Sequence, residues 1–160
     1  MGLVQRPPRM IAAQSALCAP IAQAFELGAA EVTAWVGKTA TVAGGIADPL
    51  SGYERDGSYA LRIVRESKGL ACGSTDDEIL SAARDLGRRE GIFCEPTAAV
   101  SIAALHQLKG NAEYRTDQTV VSVVTGHGLK QVQAFEGAVS LPPPIQPTLA
   151  ALSSFLASPV

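Results

Sequence analysis

The side chains best placed to do chemistry stand in Thr125-Gly126-His127-Gly128, where a hydroxyl and an imidazole are set beside two glycines. This turn ends the run 119–124, in which four valines are interrupted by Thr119 and Ser122. Such a run is rich in β-branched residues and too short for a helix of its own. It reads as a central strand of a parallel sheet, buried on both faces. Ligands of open α/β sheets sit at the carboxyl ends of strands, so the Thr125 hydroxyl occupies the place where a bound group would meet the chain. Gly126 and Gly128 allow a sharp turn and a close backbone approach. The bland alternative is a strand that ends in a glycine-containing turn and binds nothing. His127 faces a ligand or water, or else bonds to nearby backbone. Glu95 is the one carboxylate at an inferred strand end followed directly by a helix. It lines the site or caps that helix.

Composition narrows the possible partners. The 160 residues are 47% hydrophobic and 18% charged, enough for one domain with a sizeable core. Thirteen basic against fifteen acidic residues leave a net charge of −2, which gives no basic field for nucleic acid. No apolar run approaches the length of a membrane span. Cys18, Cys72 and Cys94 are odd in number and far apart, and read as reduced thiols of a cytoplasmic protein. With only His106 and His127 besides, a structural zinc site is not expected.

The elements that must position these residues follow in order. Pro7-Pro8 fixes an extended approach to a short strand at 10–13. A helix is expected over 16–27, stopped by Gly28. Residues 31–39 fit either a half-buried strand or a helix edge, and 41–57 read mostly as loop. A helix over 58–67 precedes a short strand at 70–72. Thr75-Asp76-Asp77-Glu78 is the clearest local signal: a capping box, with acids at the positive end of the helix dipole. That helix closes on Arg88-Arg89 and Gly91, and 92–94 is the next expected strand. Pro96 opens a helix apolar on most sides, ended by Lys109-Gly110-Asn111 and carrying a half-exposed His106. Pro142-Pro143-Pro144 and Pro147 form a stiff linker before a short helix at 148–156. The alternation predicts an α/β fold, a mainly parallel sheet with flanking helices. Residues 1–136 form this domain, and 137–160 the linker and terminal helix.

Four stretches, in order, resemble threonine synthase, a pyridoxal-phosphate (PLP) enzyme of the tryptophan-synthase-β type. Thr125-Gly126-His127-Gly128-Leu129-Lys130 is similar to its TGHGLK segment. Gly91-Ile92-Phe93-Cys94-Glu95-Pro96 resembles EGIFCEP, and Thr41-Val42-Ala43-Gly44-Gly45-Ile46 resembles a TIA-x-x-I turn. Pro8-Arg9-Met10-Ile11-Ala12-Ala13-Gln14 resembles a PR-hydrophobic-GVQ strand. The resemblance covers nearly the whole chain but only the C-terminal part of the family's longer sequence. Gln131 departs from the family's Asp at that position.

The resemblance implies a partial PLP-enzyme domain. In the complete enzyme Thr125 would donate a hydrogen bond to the cofactor's pyridine nitrogen. Ala43, Gly44 and Gly45 would form a turn across its face, Gly126 would let backbone pass close, and Glu95 would line the site. The Schiff-base lysine of the family lies in an N-terminal Ser-Phe-Lys segment, a context that Lys38, Lys68, Lys109 and Lys130 all lack. No catalytic residue is therefore expected in this chain, and PLP is not expected to bind it firmly alone. The expected partner is the missing N-terminal part of the enzyme or a complementing chain, with self-association when neither is present. The whole enzyme would convert O-phosphohomoserine and water to threonine and phosphate. The alternatives are a related PLP-dependent amino-acid dehydratase, in which a serine-centred turn is expected, and a stand-alone binding or assembly module without activity.

Overall fold

In the computed structural model, residues 7–109, 111, 115, 117–137 and 143–157 are described. Met1, Gly110 and Pro142 lie outside them, so the expected helix end at Gly110 and the start of the proline linker are not covered.

Two strands, β1 (Ile11–Ser15) and β2 (Leu70–Ser74), pair in parallel, from Ile11 opposite Leu70 to Ser15 opposite Ser74. Five helices accompany them: α1 (Pro20–Glu26), α2 (Glu54–Glu66), α3 (Asp76–Glu90), α4 (Pro96–Leu108) and α5 (Leu149–Ala157), of which α1, α2 and α4 pack on the strands. The result is an α/β fold whose sheet among the described residues is this one parallel pair. The 31–39 stretch is irregular.

Local chemistry explains the helix limits. The α1 helix begins four residues later than the sequence suggests. Ser15 and Cys18 first form a bridge, and Pro20 then supplies a first position that needs no N–H. The α2 helix starts at Glu54, so Gly57 is a helix residue and not part of the loop. A Cβ there would lie 2.5 Å from Leu50 Cδ1, so a larger residue would make the Leu50 side chain shift. The capping box of α3 is complete. Thr75 Oγ1 accepts the Glu78 amide at 3.3 Å and Glu78 Oε2 accepts the Thr75 amide at 2.7 Å. Gly91 closes the helix in the left-handed region at φ 70°.

The main core lies between α3 and α4. Ile79, Ala82 and Ala83 pack on Ala98, Ala99, Val100 and Ala103, with Ala43 and Cys94 included. Small residues dominate, so the two helices approach closely. A second cluster joins Ala24 of α1, Val32 and Leu61 of α2.

Two expected strands are not formed. Residues 92–94 make only an isolated antiparallel bridge, Cys94 with His127. Residues 119–124 make no backbone–backbone hydrogen bond among the described residues, and Val121 and Val123 are 83% and 66% exposed. The sequence pattern calls for strand neighbours on both sides of this segment, and no described residue pairs with it through the backbone. His106 is exposed rather than half-exposed. The α5 helix forms near its expected place, and no residue of it is buried.

Candidate functional site

The residues at the ends of β1 and β2 assemble the site. Ser15, fully buried at the end of β1, donates to Thr41 Oγ1 at 2.8 Å. The Thr41 hydroxyl donates in turn to Asp76 Oδ1 at 2.5 Å, and the Val42 amide donates to Asp76 Oδ2 at 3.1 Å. Asp76 is the first residue of α3, where the helix dipole also favours its negative charge. It therefore holds the 41–46 turn by both carboxylate oxygens.

From that anchor the chain enters a short 3-10 turn, Gly44–Ile46. Ala43 beneath it is fully buried in the α3–α4 core. The Gly45 amide donates to Thr97 Oγ1 at 3.2 Å, tying the turn to the first turn of α4. Gly44 is exposed, and a Cβ built there meets nothing within 4 Å. The space before the turn is open.

The second wall comes from 93–96 and 125–131. These two stretches run antiparallel: the Glu95 amide donates to Gly126 O at 3.0 Å, and the Gly128 amide to Phe93 O at 2.9 Å. Both glycines are required by close approach. A Cβ on Gly126 would lie 1.8 Å from Glu95 Oε1, and one on Gly128 would lie 2.5 Å from the Phe93 ring. Phe93 also meets the His127 ring edge-on at 5.7 Å and the Phe135 ring at 5.2 Å.

Glu95 begins α4 but makes no side-chain cap hydrogen bond, so the capping alternative is excluded. Its carboxylate pairs with Lys130 Nζ, at 3.0 Å from Oε1 and 2.8 Å from Oε2. The Glu95 side chain is 11% exposed and that of Lys130 66%, so the lysine closes over the carboxylate from outside. Largely buried at Glu95 and exposed at Lys130, this ion pair loses more when Lys130 is removed than a surface pair would, because the carboxylate is then left unpaired. Gln131 Nε2 donates to Val42 O at 2.8 Å, linking the third stretch back to the first. An aspartate at that position could not donate this bond.

Placement of the expected site residues is uneven. Ala43, Gly44, Glu95 and Gly126 share one neighbourhood through the Thr97, Lys130 and Gln131 bonds. Thr125 is exposed beside Gly126, and its hydroxyl makes no hydrogen bond among the described residues. His127 Nδ1 accepts the Leu129 amide at 3.1 Å, which is the nearby-backbone alternative. Residue typing alone missed Asp76, Thr97 and Ser15. Asp76 reads in sequence only as a charge at a helix start, and its second role depends on a residue 34 positions away. Burial raises the pKa of the Cys94 thiol, and the neighbouring Glu95 carboxylate raises it further. Cys94 therefore packs as a neutral thiol rather than serving as a nucleophile.

The arrangement fits one end of a flat nitrogen heterocycle: a small-residue turn with open space before it and an unpaired hydroxyl nearby. It does not fit a phosphate. The amides of Gly128, Leu129 and Lys130 are already spent on Phe93 O, His127 Nδ1 and His127 O. The Lys130 ammonium is held by Glu95.

Gly126→Ala is expected to break the junction between the two walls. The new methyl must displace a carboxylate that Lys130 holds in place, at a cost of ~1–3 kcal/mol. A lower midpoint in urea unfolding measures this loss. Adding Glu95→Gly should restore much of it, because the atoms that clash are gone. Equal and additive losses would count against the contact.

Comparison with known proteins follows this geometry. The profile described as pyridoxal-phosphate dependent enzyme matches residues 2–126. The threonine synthase of Methanosarcina acetivorans is 37% identical over 134 residues, covering 83% of this chain and 32% of that protein. That of Mycobacterium leprae is 36% identical over 129 residues, covering 81% and 32%. That of Synechocystis is 38% identical over 130 residues, covering 81% and 30%. The chain spans about a third of the length of these relatives. Maize serine racemase superimposes with a TM-score of 0.62 at 18% identity, over 81% of this chain and 37% of that one, a likeness of fold. No helix among the described residues is long and apolar enough to cross a membrane. The matched stretch takes in both strands, helices α1 to α4 and the site up to Gly126, and on that ground the chain belongs to the pyridoxal-phosphate dependent enzyme family.

Proposed function

We propose that this chain is the C-terminal portion of a threonine synthase. The whole enzyme, a PLP-dependent lyase of the cytoplasm, converts O-phosphohomoserine and water to threonine and phosphate in threonine biosynthesis. Residues 1–136 are the portion of the enzyme domain, and 137–160 are a linker and a short helix. One observation carries the reading: Thr41–Ile46, Gly91–Pro96 and Thr125–Lys130, far apart in sequence, converge through Thr97, Glu95, Lys130 and Gln131. The identity with threonine synthases supports the substrate.

Bound PLP supplies an electron sink for reactions at the amino-acid carbon skeleton. In this reading the chain's own residues bind and orient it. The Thr125 hydroxyl donates to the pyridine nitrogen and, unlike a carboxylate, does not favour its protonation. Ala43 and Gly44 leave the ring face clear. Glu95, held by Lys130, lines the wall beside Gly126. The Schiff-base lysine and the phosphate cradle come from the part of the enzyme N-terminal to the matched region or from a complementing chain.

Purifying the chain together with that part, and measuring phosphate release from O-phosphohomoserine, tests the reading. Turnover is the expected result. Formation of a 2-oxo acid from threonine without phosphate release would instead assign a dehydratase. A firm complex without either activity would assign a non-catalytic module. In the active complex, Thr125→Val keeps the shape and removes the donor. It should weaken PLP binding by ~1–3 kcal/mol, read as the cofactor's dissociation constant by absorbance titration. An unchanged constant would leave Thr125 as no more than the end of an extended segment.

A further inference from the structure

The 41–46 turn is held from three elements, and two of the holds meet at Val42. Its amide donates to Asp76 Oδ2 at 3.1 Å, and its carbonyl oxygen accepts from Gln131 Nε2 at 2.8 Å. The next amide, Ala43 N, donates to Thr41 Oγ1 at 3.2 Å. The peptide joining Val42 to Ala43 is thus fixed at its carbonyl and at its N–H. Asp76 belongs to α3, and Thr97, which accepts from the Gly45 amide, belongs to α4. Those two helices share the main core, so their bonds tie the turn to one packed body. The Gln131 bond is different. Among the described residues it is the one hydrogen bond that joins the turn to the stretch carrying Thr125. The 3-10 segment Gly128–Phe135 loses helical geometry at Gln131, at φ −144° and ψ 54°, where the side chain crosses to Val42. Lys130 beside it crosses to Glu95, so adjacent residues tie this segment to both walls of the site. The aspartate that the resembling threonine synthases carry here is a methylene shorter and, when ionised, has no proton to donate. The bond therefore belongs to this chain and does not come with the resemblance.

We infer that Gln131 is a positioning residue for the PLP ring: by holding the Val42 carbonyl it keeps the Ala43–Gly44 face of the site set against the stretch that carries the Thr125 donor. The identity of the ring rests on the function proposed above. A flat ring gains from a surface and an edge donor together only when the two are held at a fixed separation. A separation fixed in advance removes ordering that binding would otherwise have to supply. The effect of Gln131 passes through the Val42 peptide. Removing its donor leaves the α3–α4 core and the Asp76 and Thr97 bonds in place. Val42 is half-buried, so water can take over the lost bond. The fold should therefore tolerate the change, while the match between the two walls is lost.

The test mixes the full chain with the part of Methanosarcina acetivorans threonine synthase outside the matched region. PLP is titrated by absorbance, and the circular dichroism of the bound chromophore is recorded. Gln131→Glu keeps the length and removes the donor, and Gln131→Leu removes it without adding charge. Each should weaken PLP binding by about 5- to 10-fold, the worth of one hydrogen bond. Each should also change the dichroism of the bound chromophore, which reports the asymmetry of the ring's surroundings. The urea midpoint of the free chain should stay at the parent's value. Gln133→Leu, at an exposed position two residues on, should change none of these. Unchanged affinity, unchanged dichroism, a loss in Gln131→Glu alone, the same losses in Gln133→Leu, or a matching fall in the urea midpoint would each overturn the inference. A parent mixture that binds PLP but releases no phosphate from O-phosphohomoserine rejects the synthase reading, and Gln131 is still decided by affinity and dichroism. Phosphate release by the parent, with Gln131 variants that bind PLP as it does, keeps the reading and rejects the inference. A parent mixture that binds no PLP overturns both.

Discussion

Gly69→Ala is expected to cost this chain its cooperative fold. A Cβ at Gly69 would lie 1.7 Å from the Met10 carbonyl oxygen, 2.8 Å from its carbon and 3.0 Å from the Met10 nitrogen. These are backbone atoms, so no rotamer change relieves the contact. The same carbonyl accepts the Leu70 amide at 3.2 Å, the bond that opens the β1–β2 pair, and Met10 N donates to Ser67 Oγ at 2.9 Å. The turn is also fixed from behind, because Gly69 N donates to Val64 O at 2.8 Å and Lys68 sits in the left-handed region at φ 56°. Clearance requires the parallel strands to separate. The expected loss is ~3 kcal/mol or more, a large part of the stability of a domain this size. Circular dichroism during urea unfolding should show a much lower midpoint or no cooperative transition. Gly44→Ala is the control: its Cβ meets nothing, and its stability should stay within about 0.5 kcal/mol of the parent. A Gly69→Ala chain as stable as the control would show that the strands are not held at this separation.

What could be read from sequence was what a few neighbouring residues determine. Thr75 and Glu78 close a capping box on each other, and Pro96 sets a first helical turn whatever lies elsewhere. Both helices begin where those residues predict. The run 119–124 failed for the opposite reason. Its pattern calls for burial among neighbouring strands, which only distant chain could supply, whereas Val121 and Val123 are exposed and the segment makes no backbone–backbone hydrogen bond among the described residues. The 92–94 stretch failed more mildly. Its segment does pair, but with the Gly126–Gly128 turn across a single bridge, because Gly126 and Gly128 let that turn lie against Glu95 and Phe93. The site divides in the same way. Gly126 and Glu95 announce themselves by type, while Asp76 looked like one acid of three at a helix start. Nothing near it in sequence shows that both its oxygens hold the 41–46 turn.

The chain by itself is expected to bind PLP weakly and to release no phosphate from O-phosphohomoserine. The Thr125 hydroxyl offers one hydrogen bond, with a net value of ~0.5–1.5 kcal/mol. Micromolar affinity needs about 8 kcal/mol, so this bond leaves most of the binding energy to other groups. Those groups are engaged or distant. The amides of Gly128, Leu129 and Lys130 are taken up within the chain. Lys130, the lysine at the site, is locked to Glu95 at 2.8 Å, and Lys38, Lys68 and Lys109 are exposed elsewhere. Freeing Lys130 would leave the largely buried Glu95 carboxylate unpaired, at a cost of several kcal/mol. Borohydride reduction with PLP, followed by peptide mapping, should therefore give sparse labelling spread over the exposed lysines. Stoichiometric labelling of Lys130 together with phosphate release would overturn the argument, because the Glu95 pair would then have opened to serve the cofactor.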